Sequence, residues 1–139
     1  MSDAKEAMGM TIHEPEQDEV TAATVAAVER FLEAIMQHDV DAVLAAMTED
    51  CVFETTFPAP DGTRFAGRAA VRGAMEAFFA GSPSARFETE ERVVAGDRVV
   101  ERWVYHWIEA DGTAGHVRGV DVIRVRDGKV QESLAYVKG

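Results

Sequence analysis

Three side chains able to move a proton or hold a charge stand on two neighbouring β-rich runs: Arg102 and His106 in Val99–Glu109, and Asp121 in His116–Arg126. A carboxylate can take or deliver a proton, an imidazole can assist near neutral pH, and a guanidinium can steady negative charge as it develops. Whether the three meet depends on the turn that joins the runs. Asp111-Gly112 reads as a two-residue hairpin turn, which sets Ala110 against Thr113 and Asp121 against Arg102. Side chains alternate along a strand, so Val104, His106, Gly119 and Ile123 join the pair on one face, and Trp103, Tyr105 and Trp107 take the other. A slip of one residue would exchange the two faces. Burial raises a carboxyl's proton affinity and an adjacent guanidinium lowers it, and the expected balance leaves Asp121 ionised. An Asp–Arg pair across two strands also forms simply to satisfy its own charges.

The elements that must position these groups follow from periodicity. Apolar residues recur at helical spacing from Val20 to about Gln37 (Val25, Val28, Phe31 or Leu32, Ile35). Asp39 is a suitable N-cap for a second, shorter helix carrying Val40, Val43, Leu44 and Met47, closed by Thr48-Glu49-Asp50. Cys51–Phe57 reads as a strand ended by Pro58 and Pro60. A third helix is expected from about Gly67 to Ala80, with Val71, Met75, Phe78 and Phe79 on one face. Four strand-like runs follow: Arg86–Val94, Val99–Glu109, His116–Arg126 and Val130–Val137, separated by Gly96-Asp97, Asp111-Gly112 and Asp127-Gly128. Helices segregated from a meander predict an α+β domain, one curved antiparallel sheet wrapped over three N-terminal helices. The inward stripe Phe53, Thr55 and Phe57, with Phe31, Phe65, Met75 and Phe79, mixes plain core with pocket wall. A single-layer sheet with two partly apolar faces needs a second cover, and a homodimer through the Trp103, Tyr105, Trp107 face is expected.

The remaining polar groups carry less chemistry. Cys51 is the single cysteine and has no CxxC or histidine-rich companion, so neither a disulfide nor a structural metal is expected. His13 falls in the N-terminal tail, His38 ends a helix, and His116 has the opposite parity to Asp121. No phosphate loop, nucleotide fingerprint or Ser-His-Asp order is present, and no cofactor is expected.

Bulk charge narrows the partners. The 139 residues carry a formal net charge of −11, which repels phosphate backbones and anionic lipid surfaces, so neither nucleic acid nor membrane is an expected partner. Residues 1–19 hold six acids and one lysine without apolar period, and read as a mobile acidic tail ahead of a domain spanning 20–139. That tail lacks the basic start and apolar stretch of a secretory signal, and no apolar run is long enough to span a bilayer. A cytoplasmic protein is the expected setting.

The element order, together with the strings HDVDAVLAAMTEDCVFE, FAGRAAVRGAMEAFF and VRGVDVIRVRDGKVQE, resembles the nuclear transport factor 2-like superfamily over about residues 22–138. This superfamily includes ketosteroid isomerases, SnoaL-like polyketide cyclases and limonene epoxide hydrolases. The resemblance implies a cone-shaped α+β barrel around a pocket, and a homodimer. Against the isomerase pattern, the general-base position falls on Thr55 and the tyrosine position on Phe31, while the late aspartate is kept as Asp121. Against the epoxide hydrolase pattern, Arg102 is kept and the two aspartate positions fall on Val104 and Ala135. The cyclase pattern, a late-strand acid with a histidine nearby, is matched by Asp121 and His106. The resemblance therefore implies a cofactor-independent acid–base enzyme, isomerase- or cyclase-like, acting on a small hydrophobic carbonyl or polycyclic substrate. It is not a standard ketosteroid isomerase or limonene epoxide hydrolase, and the alternative is a non-catalytic binding domain of the same fold.

Overall fold

The computed structural model describes residues 13–138, so the first twelve residues of the expected tail lie outside the described residues. Helix α1 runs His13–Met36, seven residues ahead of the expected start at Val20. An apolar period marks a helix only where apolar residues recur, and none stands between His13 and Val20. Ala27, Val28, Phe31 and Ala34 form the buried stripe of α1.

Asp39 caps α2 (Val40–Ala45) as expected, its carboxylate accepting the Ala42 backbone N–H at 3.0 Å. The helix is shorter than expected because Met47–Asp50 already belong to β1 (Met47–Glu54). Met47 is fully buried from the strand rather than from the helix, an apolar position consistent with either period. A three-residue strand β2 (Arg64–Ala66) pairs antiparallel with β1, and α3 follows over Arg68–Gly81. Four long strands complete the chain: β3 (Arg86–Ala95), β4 (Arg98–Ile108), β5 (Ala114–Arg126) and β6 (Lys129–Val137).

The six strands form one sheet in the order β2-β1-β6-β5-β4-β3. Every neighbour pair is antiparallel except β1 and β6, which run parallel. The three helices cover one face, where Phe31, Met75 and Phe79 meet Val99, Ile123 and Val130 in a continuous core. This is an α+β fold with a curved, unclosed sheet.

The turns decide which side chains join that core. Asp127-Gly128 is a two-residue turn with both residues at positive φ (54° and 74°), the arrangement that matches strand twist. The β4–β5 turn differs. Ile108 pairs with Ala114, and the Glu109 N–H donates to the Thr113 carbonyl at 2.7 Å, leaving Ala110, Asp111 and Gly112 as a three-residue loop. The Asp111 carboxylate accepts the Thr113 N–H at 2.9 Å and Gly112 takes φ 90°, so the aspartate braces the loop from within. One additional loop residue moves the whole register by one. Asp121 consequently lies opposite Glu101, and Arg102 opposite Val120.

Candidate active site

Between the helices and the sheet lies a cavity of about 690 Å³. Its walls are largely apolar, with Leu32 and Ile35 from α1, Phe78 from α3, and Phe87, Trp103 and Tyr105 from the sheet. A volume of this size suits a small organic molecule. Asp121 and Glu101 are the two carboxyls that line it, and no Lys, Arg or His does so among the described residues.

The corrected register puts Asp121 here. On β4 the odd-numbered residues Glu101, Trp103 and Tyr105 share the concave face with Val117, Gly119, Asp121 and Ile123 of β5. Burial pushes the Asp121 carboxyl up from 3.8 to about 7, with the Trp103 indole N–H opposing that rise and the charge of Glu101 adding to it. Trp103 is 5% exposed, and its Nε1–H is buried without a well-formed hydrogen bond. A donor left in that state has its bonding capacity open to a ligand oxygen. Glu101 is 1% exposed and is held by Arg92, which donates from Nε at 2.6 Å and Nη2 at 3.2 Å, and by the Thr89 hydroxyl at 2.6 Å.

The expected cluster of Asp121 with Arg102 and His106 does not form. Arg102 points to the convex side, where it pairs with Glu90 and Glu91 of β3. His106 lies on that side too, 3.1 Å from Glu88 and with its ring centroid 6.3 Å from that of His116, its partner across the β4–β5 pairing. Val104 follows them and is buried on the far side from the cavity. The exchange of faces also moves Trp103, Tyr105 and Trp107. They lie on the concave face, with Trp103 and Tyr105 in the cavity wall, so the expected homodimer through that face does not stand.

The expected pocket residues divide between wall and core. Phe53, Thr55, Phe57, Phe65 and Met75 line the cavity. Phe31 and Ile123 are fully buried core, and Phe79 is core that stacks on the His38 ring at 4.5 Å. Gly119 contributes by what it lacks. A Cβ there would come within 2.6 Å of the Trp103 ring, so the missing side chain is what lets the indole lie across β5. Gly115 makes the same allowance for Trp107.

Glu101, Thr89, Phe87, Trp103 and Tyr105 escaped the sequence reading as site residues because they follow from the register. One signal could have found it. Gly115 and Gly119 are four apart, as are Trp103 and Trp107, and an antiparallel pairing that sets each tryptophan on a glycine is the observed one.

Comparison with known proteins gives three kinds of result. Residues 28–133 match the SnoaL-like domain family. A Mesorhizobium loti nuclear transport factor 2-like protein of unknown function is 44% identical, over 86% of this chain and 93% of that one, with a TM-score of 0.72. A Xanthomonas campestris protein described as a candidate polyketide cyclase is 25% identical over the same shares, with a TM-score of 0.69. A Mycobacterium tuberculosis protein solved in complex with estradiol-17beta-hemisuccinate is 24% identical over 82% of this chain and 92% of that one, with a TM-score of 0.70. No curated protein matches the chain. Among the described residues, no helix is long and apolar enough to cross a membrane.

Proposed function

The chain belongs to the SnoaL-like family, and we propose that it is a cofactor-independent acid–base enzyme, isomerase- or cyclase-like, for a small, mainly apolar molecule bearing a carbonyl oxygen. One observation carries this reading: a carboxyl at the wall of an apolar cavity, raised to about 7, so that both its protonated and ionised forms are populated near neutral pH. A group poised in this way can act in either direction. The ionised Asp121 takes a proton from a carbon next to the substrate carbonyl, and electron density passes onto the carbonyl oxygen. The Trp103 Nε1–H, which Asp121 attracts while ionised, turns to that oxygen as the carboxyl takes the proton. The Asp121 O–H then returns the proton to a second carbon, so the bonds shift with no net gain or loss of protons. General acid–base catalysis of this kind contributes roughly 10²–10⁴-fold. The steroid derivative held by the Mycobacterium tuberculosis relative and the cyclase description of the Xanthomonas campestris relative support polycyclic molecules as the class to test.

A second reading, binding without turnover, is favoured by the placement of Arg102 and His106. Both face away from the cavity, which leaves Asp121 without an imidazole or guanidinium beside it in the cavity wall. Thr55, at the position where the isomerases carry their base, is engaged with the Phe57 and Thr63 carbonyls. The deciding experiment screens steroids and anthraquinones by thermal shift and follows absorbance for turnover, in wild type and Asp121→Asn. Turnover lost in the variant with binding retained supports the enzyme. Ligand stabilisation with no turnover in either protein supports binding alone.

A further inference from the structure

The buried Glu101 side chain has no part in the proton transfer described above, yet it is held with unusual care. Its carboxylate accepts two hydrogen bonds from Arg92 and one from Thr89, all from β3, and Arg92 is itself braced at 3.5 Å by Glu29 of α1. Two elements, β3 directly and α1 through Arg92, therefore support one carboxylate that lines the same cavity as Asp121. A pair that existed only to neutralise itself could sit at the rim, where the cost of desolvation is small. Here it is placed directly across the β4–β5 pairing from Asp121, where paired side chains have Cβ atoms about 4.5–5.5 Å apart.

We propose that Glu101 is the positioning residue for the Asp121 proton, an ion-paired carboxylate that faces Asp121 across the strand pairing and keeps the proton on Asp121. The inference rests on the reading of Asp121 as the proton carrier. Two carboxyls that share a site resist ionising together, and the one with cationic partners is the one that stays charged. Arg92 and Thr89 settle which that is, because both bond Glu101. Of the other groups facing Asp121, the Trp103 N–H opposes the proton by hydrogen bonding, and none carries a charge. Tyr105 is the remaining titratable side chain in the cavity wall, Ala135 of β6 lies opposite on the other flank, and α1 and α3 present Leu32, Ile35, Met36, Ala74, Met75 and Phe78. Arg92 supplies Glu101 with its countercharge at 2.6 Å.

The test is a carboxyl ¹³C NMR titration of the folded protein, labelled at Asp and Glu, from pH 5 to 9. In wild type, the Asp121 resonance should titrate near neutrality. In Glu101→Gln, the Asp121 midpoint should fall by about half a pH unit or more, at least a threefold loss of proton affinity. In Arg92→Met, it should rise, since Glu101 loses its countercharge. Opposite shifts from the two halves of one ion pair are not produced by a merely structural role. An Asp121 midpoint near neutrality that neither substitution moves would overturn the role of Glu101 and leave the reading of Asp121 intact. An Asp121 resonance that is already that of an ionised carboxylate at pH 5 would remove the reading of Asp121 itself. If Glu101→Gln does not fold, Arg92→Met still decides: an Asp121 midpoint that does not rise in that variant overturns the proposal.

Discussion

Replacing Asp121 with Asn should stabilise the protein at pH 8 and have a different effect at pH 4, and the difference measures how far burial has shifted this carboxyl. In the unfolded chain the group titrates near 3.8, and in the folded protein near 7. Between those values the folded state holds a proton that the unfolded state has released. Stability from this group is therefore lost as pH rises through that window, and stays lost above it. The distance from 3.8 to about 7 corresponds to about 4 kcal/mol, an upper figure because the Asp121 residue is only partly buried. Asn cannot ionise and escapes the loss. Urea unfolding of both proteins at intervals from pH 4.5 to 8 isolates the effect, since titrating groups not coupled to Asp121 cancel in the comparison. The stability of wild type relative to the variant should fall across the window by about 1–4 kcal/mol. Parallel curves across the whole range would refute the reasoning, and with it the assignment of a neutral-range proton to Asp121.

Other substitutions test the register and the local devices that support it. Gly119→Ala places a methyl group against the Trp103 ring and the Tyr136 backbone carbonyl, and should cost about 1–3 kcal/mol in urea unfolding; an unaffected midpoint would mean that the indole does not lie across β5. Arg102→Ala and His106→Ala alter only the convex face, so calorimetric affinity for a cavity ligand should be unchanged, whereas Trp103→Phe should weaken it by removing the buried N–H. Loss of affinity on removing Arg102 would contradict the observed pairing. Asp39→Ala deletes the α2 cap and should cost about 1 kcal/mol, read as a lower urea midpoint at constant slope.

Much of this molecule could be read from local pattern. The α1 stripe, the Asp39 cap, the α3 face with Val71, Met75 and Phe79, and the four C-terminal strands all appear at or within a few residues of their expected positions. Each depends on a period or a turn residue that acts over short range. Strand β2 was not legible, because three residues are too few to show alternation. The switch from helix to strand at Met47 was not legible either, since a buried methionine satisfies both.

The candidate site shows the limit more sharply. Asp121 stood out as the carboxyl to watch, and it does line the cavity. Its companions were misassigned, because an Asp-Gly pair serves both as a two-residue turn and as the last two residues of a three-residue loop. The choice between those loops changes little locally, but it turns every side chain of β4 to the other face of the sheet. Composition and periodicity thus determined that a curved sheet would pack on three helices, because burying apolar surface is favourable whichever register the strands adopt. Only the tertiary structure decided that Asp121 meets Glu101 and Trp103 rather than Arg102 and His106. That decision belongs to the packing of Trp103 on Gly119 and to the Arg92–Glu101 pair, contacts that exist only once distant strands are side by side.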